Sequence, residues 1–248
     1  MKKWPFWALI LIFFVFGPET WVLSGQTNSV QIAPNTGEFV IRTVITKAKE
    51  NEVIKKERLA FKRTYIVENL NDKEQIIEQD KKEVVIVEPG GQERMIEKNG
   101  KPVNQGKISK PKIDLIKVLE AVVKLDEFTV ARIDIADGRP CFVINFKPKP
   151  NQRGSSDVED IIVRSEGVMH VDIEKFYIKK ISAWMTRSYS RAGGMFNLSR
   201  ANIDMVEEEF EGIIVMRSVT IVDKFFSILR GTVFEKQTYL YEEYRLVQ

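Results

Sequence analysis

Cysteine and histidine are nearly absent from this sequence, and each absence excludes a kind of site. Cys141 is the only cysteine and His170 the only histidine. An intramolecular disulfide is therefore excluded, and so is a zinc site built from several thiolate or imidazole ligands. Cys141 lies in the apolar stretch 140–144, and apolar surroundings raise a thiol's pKa, so we predict a buried structural thiol rather than a reactive one.

A strong charge of one sign and the usual catalytic motifs are also missing. The formal net charge is +3 over 248 residues, which gives no strong field towards nucleic acid. The sequence has no GxSxG, no GxGxxG and no phosphate-binding loop. Ser109 and Lys112 match SxxK, but Pro111 lies between them and neither SDN nor KTG occurs. We therefore expect a protein that is not an enzyme, needs no cofactor or metal and has no nucleic-acid partner.

The acidic run from Glu207 through Glu208 to Glu209 leaves a carboxylate site for calcium as an alternative. Consecutive residues alternate faces on a strand and scatter around a helix, so three such carboxylates do not converge on one ion. We interpret them as part of a solvated face. His170 shares a predicted strand face with Asp172, and a histidine that points to solvent is the simpler interpretation there.

The longest apolar run stands at the N-terminus. Lys2 and Lys3 precede the apolar residues 6–16. This length falls within the about 7 to 15 residues of a signal-peptide core, and it is short of the about 20 residues that span a bilayer. Val22 and Ser24 supply small side chains before a predicted cleavage site.

Residues 1–24 are therefore predicted to be a signal peptide, and residues 25–248 to be one exported domain that is periplasmic or secreted. The mature chain is long enough for one substantial core. An uncleaved membrane anchor is the alternative, because aromatic residues such as Phe13 and Trp21 lengthen the apolar stretch. We expect the exported domain to be a monomer.

Two helices are predicted from apolar residues that recur about every 3.6 positions. The first begins near Thr36, and the second follows Lys107, with Ser109 as its cap and Pro111 in its first turn. Each carries an apolar stripe that another part of the fold must cover. The stripes consist of Phe39, Val40, Val44, Ile45 and Ala48 on the first helix and of Ile113, Ile116, Leu119, Val122 and Val123 on the second.

Much of the remaining chain alternates apolar and polar residues, which predicts strands. Asn99-Gly100 and the stretch 137–140 are typical of turns that join neighbouring strands into hairpins. Two polar stretches, 151–157 and 188–202, are predicted loops, and a loop as long as the second is typically functional or disordered. The predicted strands are 57–68, 81–88, 93–98, 128–136, 141–146, 161–164, 168–173, 179–186, 213–222 and 231–245.

About ten antiparallel strands, two or three helices and no βαβ rhythm predict a mainly β (α+β) fold with one large curved sheet. A sheet this wide must curl, and the amphipathic helices are expected to cover its concave face. Apolar residues along the strands then form a candidate ligand-binding set around an apolar cavity, although each of them alone is more typical of a core. The set is Phe61, Tyr65, Phe128, Phe142, Ile144, Phe146, Met169, Val171, Trp184 and Met216.

Several segments together resemble one family, although each is weak alone. They are residues 57–68, 93–102, 137–144, 167–172 and 225–231. In this combination the chain resembles the LolA-like superfamily of periplasmic carriers that sort outer-membrane lipoproteins. The resemblance implies an unclosed β-barrel with helices as a lid, in which an apolar cavity accepts the acyl chains of a lipid or lipoprotein.

Two functions are left open by the sequence. The first is a carrier or binding protein for a lipid, acyl chain or lipoprotein. The second is a periplasmic protein-interaction or sensory module, which a resemblance to the amino-terminal domain of RseB implies, with an envelope protein as partner and the predicted loop 188–202 as the contact surface. An enzyme is the third and least favoured class, and it would have to depend on His170.

Overall fold

The computed structural model describes residues 36–103, 108 and 114–247. The predicted signal peptide, the SxxK match and the predicted helix cap Ser109 lie outside these ranges. No helix in the described ranges is long and apolar enough to cross a membrane.

Twelve strands in the described part of the chain form one antiparallel sheet. Its strand order is β4-β3-β2-β1-β12-β11-β10-β8-β7-β6-β5, and the short strand β9, which is not part of this order, pairs with β10. The end strands β4 and β5 are not paired with each other, so the sheet is unclosed, as predicted. The strands are β1 Leu59–Leu70, β2 Ile76–Glu88, β3 Gln92–Lys98, β4 Lys101–Pro102, β5 Asp126–Ala136, β6 Arg139–Pro148, β7 Ser165–Asp172, β8 Ile178–Met185, β9 Tyr189–Arg191, β10 Phe196–Phe210, β11 Ile213–Ser227 and β12 Gly231–Leu246.

Three α-helices accompany the sheet in the described ranges: α1 Thr36–Arg58, α2 Leu115–Leu125 and α3 Asp157–Ile162. The backbone N–H of Lys117 donates to the Asp114 carboxylate, so Asp114 caps α2. The start of α1 lies very close to β5, because a Cβ added at Gly37 would stand 2.8 Å from the Cβ of Phe128. Glycine is therefore required where the helix approaches the strand.

The main hydrophobic core lies between the helices and one half of the sheet. Helix α1 contributes Val40, Ile41, Val44 and Ile45, and α2 contributes a second apolar row that includes Leu119. Buried residues of β6, β7, β8 and β10 close the core from the sheet side. The helices thus cover one face of the strands β5 to β10, as the sequence predicts.

Hairpin turns agree with the sequence analysis. Asn99 and Gly100 have φ values of 49° and 76°, and Asp137 and Gly138 have 48° and 72°. Both pairs adopt the left-handed backbone that Asn, Asp and Gly tolerate best. Cys141 is fully buried in β6, and burial raises the pKa of its thiol, which confirms the prediction of a structural cysteine.

Two predicted elements were wrong. The stretch 161–164 is not a strand: Ser156 caps α3, whose acidic first turn suits a helix N-terminus. The stretch 188–202 is not a long loop. It forms β9 and the first part of β10, which pair with each other and are joined by a tight turn at Gly193 and Gly194. Short apolar runs and polar strands are the two cases in which periodicity is least decisive.

The apolar stripe of α1 also differs from the prediction. Phe39 is 66% exposed, whereas Ile41 is fully buried. The buried stripe follows Val40, Ile41, Val44 and Ile45, so Phe39 falls outside the face that meets the sheet.

Candidate functional site

An open cleft of about 880 Å³ lies between the second half of α1 and the sheet. We call it the α1 cleft. Its walls also include the start of α2 and the connection between β7 and β8. The sheet side is mainly apolar and aromatic, and it consists of Leu59, Phe61, Ile178, Ile214, Met216, Tyr241 and Tyr244, with Glu207 among them.

The sequence of α1 explains why a cleft forms at this place. The first half of the helix is buried, but beyond Ile45 no residue of α1 is buried. The second half is dominated by lysine and glutamate, and its apolar residues Val53 and Ile54 stay 57% and 41% exposed. This half therefore has too few large apolar groups to close onto the sheet.

Asn51 ties the second half of α1 to β11. Its Nδ2 donates to the Ile214 carbonyl oxygen at 2.6 Å, and the Ile214 N–H donates to Asn51 Oδ1 at 3.0 Å. Lys49 forms an ion pair of 2.6 Å with Glu120 on α2. These polar contacts hold the helix across the cleft without filling it.

Glu207 lies on the sheet side of the cleft, because a β-bulge sets its position. Val206 pairs with Ser218, whereas Glu207 pairs with Met216, so Arg217 is the extra residue on β11. Arg217 lies instead 3.9 Å from Glu208, on an exposed part of the sheet. The bulge therefore keeps the arginine away from Glu207.

Glu207 differs electrostatically from the carboxylates beside it. Burial raises the pKa of Glu207 to about 7, although Lys55 and the backbone N–H of Ile178 oppose that rise. Glu209 has hydrogen bonds from Lys175 at 2.6 Å and Arg139 at 2.9 Å, and these partners lower its pKa. The interpretation of the acidic run as a solvated face was wrong for Glu207.

The predicted ligand-binding set is divided between the core and the cleft. Phe61 and Met216 line the α1 cleft. Ile144, Phe146, Met169 and Val171 are buried in the main core, and Phe128 and Phe142 pack against it. Tyr65 stacks on Tyr239 with ring centroids 4.5 Å apart, and Trp184 is 39% exposed with its Nε1 donating to Glu166.

Buried charges occupy the sheet next to the cleft, and the sequence analysis missed them. Arg63 and Glu93 form an ion pair of 3.2 Å with both side chains largely buried. Glu83 is 1% exposed and lies 3.0 Å from Lys81. Such pairs contribute little net stability, since desolvation offsets their attraction. Arg63 lies two residues from both Phe61 and Tyr65 along β1, so all three share one strand face. This spacing could have predicted an inward-facing arginine.

Comparison with known proteins finds similarity in structure only. No family model and no curated protein sequence matches this chain. A domain of an outer membrane lipoprotein-sorting protein from Vibrio parahaemolyticus has 8% identity, with 83% of this chain and 93% of that chain covered and a TM-score of 0.33. A LolA superfamily protein from Nitrosomonas europaea has 11% identity, with 84% and 94% covered and a TM-score of 0.37.

A third similar structure is the MucA/MucB complex of Pseudomonas aeruginosa, with 8% identity, 83% of this chain and 99% of that chain covered and a TM-score of 0.25. These solved structures include the LolA class that the sequence resembles. At identities of 8 to 11% the likeness concerns the fold alone, and no conclusion about function follows from it.

Proposed function

We propose that this protein is an exported, non-enzymatic binding protein of the cell envelope that holds an acyl chain of a lipid or lipoprotein in the α1 cleft. The observation that carries this proposal is the cleft itself, with a volume of about 880 Å³ and an apolar, aromatic sheet side. Ligand pockets in proteins typically measure about 300 to 1,000 Å³ and are lined in this way. Lipoprotein sorting is the specific form of this function that the sequence resemblance implies.

The energetics favour an alkyl chain as occupant. Burying a chain contributes up to about 0.8 kcal/mol per methylene. Eight buried methylenes would then contribute roughly 6 kcal/mol before the costs of association are subtracted. The proposal of export is supported by the sequence of residues 1–24. The proposal that the protein is not an enzyme is supported by the lack of catalytic motifs.

Met216→Trp tests the cleft as the binding site. The larger ring fills space on the sheet side, so we expect the affinity for a fluorescent fatty acid to fall at least about tenfold. Met195→Trp is the matched control, because Met195 is 55% exposed and does not line the cleft. Its affinity should equal that of the unmodified protein.

Two measurements complete this test. Thermal unfolding of both variants shows whether overpacking at Met216 has destabilised the fold, which typically costs about 1 to 3 kcal/mol. Mass spectrometry of organic extracts of the protein, purified after export from its full-length sequence, should recover an alkyl-chain lipid. No recovered lipid together with no fatty-acid binding would contradict the proposal.

A protein-interaction module is the second candidate, and an exposed apolar hairpin tip favours it. Ile228 and Leu229, between β11 and β12, are 64% and 96% exposed, and Phe226 beside them is 42% exposed. The N–H of Ile228 donates to the carbonyl oxygen of Met195, so the exposed Met195 joins the same patch. Exposed apolar clusters of this kind typically mark interaction sites.

Ile228→Ser combined with Leu229→Ser tests this candidate. A stoichiometric envelope protein should co-purify with the unmodified chain and be lost from the double variant. Ile135→Ser is the control, because Ile135 is 73% exposed and lies at another hairpin. Retention of the partner by the double variant would rule out the tip as its binding site.

A further inference from the structure

Glu207 is a carboxyl group in a cleft side that is otherwise mainly apolar. It lines the α1 cleft together with Met216, its cross-strand partner. The bulge at Arg217 removes the cation that an unbroken register would place opposite it. A group so placed meets the polar part of any ligand whose alkyl chain lies along the apolar surface.

Most of the cations around the cleft are already engaged by other carboxylates. Five of the six lysines on its walls form ion pairs, and Lys56 is the sixth, so the cleft offers little excess positive charge for an anion. The pairs are Lys47 with Glu50 at 2.9 Å, Lys49 with Glu120 at 2.6 Å, Lys55 with Glu52 at 2.6 Å, Lys117 with Asp114 at 3.3 Å and Lys175 with Glu209 at 2.6 Å.

The ionisable groups near Glu207 come from three sides. Helix α1 contributes Lys55 and Glu52. Tyr244 approaches from β12, its hydroxyl donates to the Met216 carbonyl, and Glu207 helps to raise the pKa of this tyrosine. The cleft wall also carries Lys175 and Tyr177 between β7 and β8 and Tyr241 on β12. Its other charged groups are Lys47, Lys49, Glu50 and Lys56 on α1, Glu88 at the end of β2, and Asp114, Lys117 and Glu120 at the start of α2.

We propose that Glu207 sets the class of ligand: an amphiphile with an alkyl chain and a polar end that donates hydrogen bonds, such as an amine or a hydroxyl group. A carboxylate accepts hydrogen bonds from such donors and repels an anionic end group, and both effects are stronger away from bulk water. This inference rests on the proposed function, because it assumes that the α1 cleft holds the alkyl chain.

The protonation of Glu207 gives the inference a distinct signature. With a pKa of about 7, the group is mainly neutral in mild acid and mainly charged in mild base. An anionic amphiphile should therefore bind more weakly as the pH rises, whereas a cationic amphiphile should bind more tightly. Cleft shape alone predicts no such opposite trends.

The test measures two fluorescent amphiphiles of equal chain length, an alkyl sulfonate and an alkylamine, at about pH 5.5 and about pH 8.5, where neither probe changes charge. For the unmodified protein, the Kd of the sulfonate should rise at least about fivefold with pH, and the Kd of the amine should fall by a similar factor. Glu207→Gln should remove both trends, because glutamine keeps the size and the hydrogen bonding but not the titration.

Glu208→Gln is the matched control, since Glu208 neighbours Glu207 but lies with Arg217 outside the cleft. Its pH trends should equal those of the unmodified protein. Pronounced binding of both probes without opposite trends, or trends that persist in Glu207→Gln, would overturn the inference and leave the cleft as the binding site. No binding of either probe at either pH would overturn the proposed function as well.

Discussion

At the scale of single residues, Asp126 shows how folding can leave a carboxyl group in an unfavourable place. It is 1% exposed at the start of β5. Both of its carboxylate oxygens lack a hydrogen-bond partner among the described residues. Burial raises its pKa to about 7, although Lys149 partly offsets this effect. The ionised form is thus costly in the native state.

Asp126 should make the protein less stable as the pH rises. Between the unfolded pKa of about 3.9 and the native pKa, the native state binds more protons than the unfolded state, so the free energy of unfolding falls with rising pH. The loss approaches about 4 kcal/mol well above pH 7. In urea unfolding, the free energy of unfolding should differ less between about pH 5 and about pH 8 for Asp126→Asn than for the unmodified protein.

Glu207 provides an internal comparison for this prediction, because burial raises its pKa in the same direction. Asp126→Asn should therefore reduce the pH dependence without abolishing it, and the double variant with Glu207→Gln should reduce it further. If the free energy of unfolding of Asp126→Asn depends on pH as strongly as that of the unmodified protein, this carboxyl group gains partners or water in solution.

At the scale of elements, the two halves of α1 are held to the sheet in different ways. Residues 36–45 pack into the core, whereas residues 46–58 are held by the hydrogen bonds of Asn51 to β11. Asn51→Ala removes both hydrogen bonds to Ile214 and leaves two backbone groups to find other partners, at a cost of about 1 to 3 kcal/mol. Hydrogen exchange of residues 46–58 should become faster, while that of residues 36–45 should change little because their stripe stays in the core.

Glu50→Ala is the control for this prediction, since Glu50 lies on the same half-helix and its ion pair with Lys47 is exposed. Such surface pairs contribute about 0 to 1 kcal/mol. Equal exchange rates in Asn51→Ala and the unmodified protein would mean that the side-chain tie does not hold the helix across the cleft.

The elements also show how far the sequence predicts this fold. The strand β1 and the turn residues at 99–100 and 137–138 depend on local chemistry, and they were predicted correctly. Helix α3 was missed because a short apolar run fits a helix or a strand equally well. The position of Glu207 depends on a bulge in the partner strand β11, and a pairing register of this kind is invisible in one strand's own pattern.

The predicted ligand-binding set illustrates the same limit. Ile144 and Met169 are apolar, inward-facing strand residues, and so is Met216. The first two are fully buried in the main core, and the third lines the cleft. What separates them is the helix above: the apolar half of α1 covers one part of the sheet and its charged half covers the other.

At the scale of the whole molecule, the two halves of the sheet have unequal cores. The helix-covered half contains the large cluster with Ile41, Leu119 and Met169. Among the described residues, the other half contains two small clusters, one around Leu59 and Val215 and one that joins β2 to β3. Since buried apolar area dominates stability, the second half should open at lower free energy than the first.

Hydrogen exchange measured by mass spectrometry should show this asymmetry. In the unliganded protein, β2 and β3 should exchange faster than β6 and β7. A bound alkyl chain should slow exchange in β1 and β12, because Phe61, Tyr241 and Tyr244 line the cleft from these strands. The effect should be absent in Met216→Trp and retained in Met195→Trp. Hydrogen exchange at a uniform rate across the sheet would contradict the difference in stability between its two halves. A ligand effect confined to β6 and β7 would place the occupied cavity outside the α1 cleft.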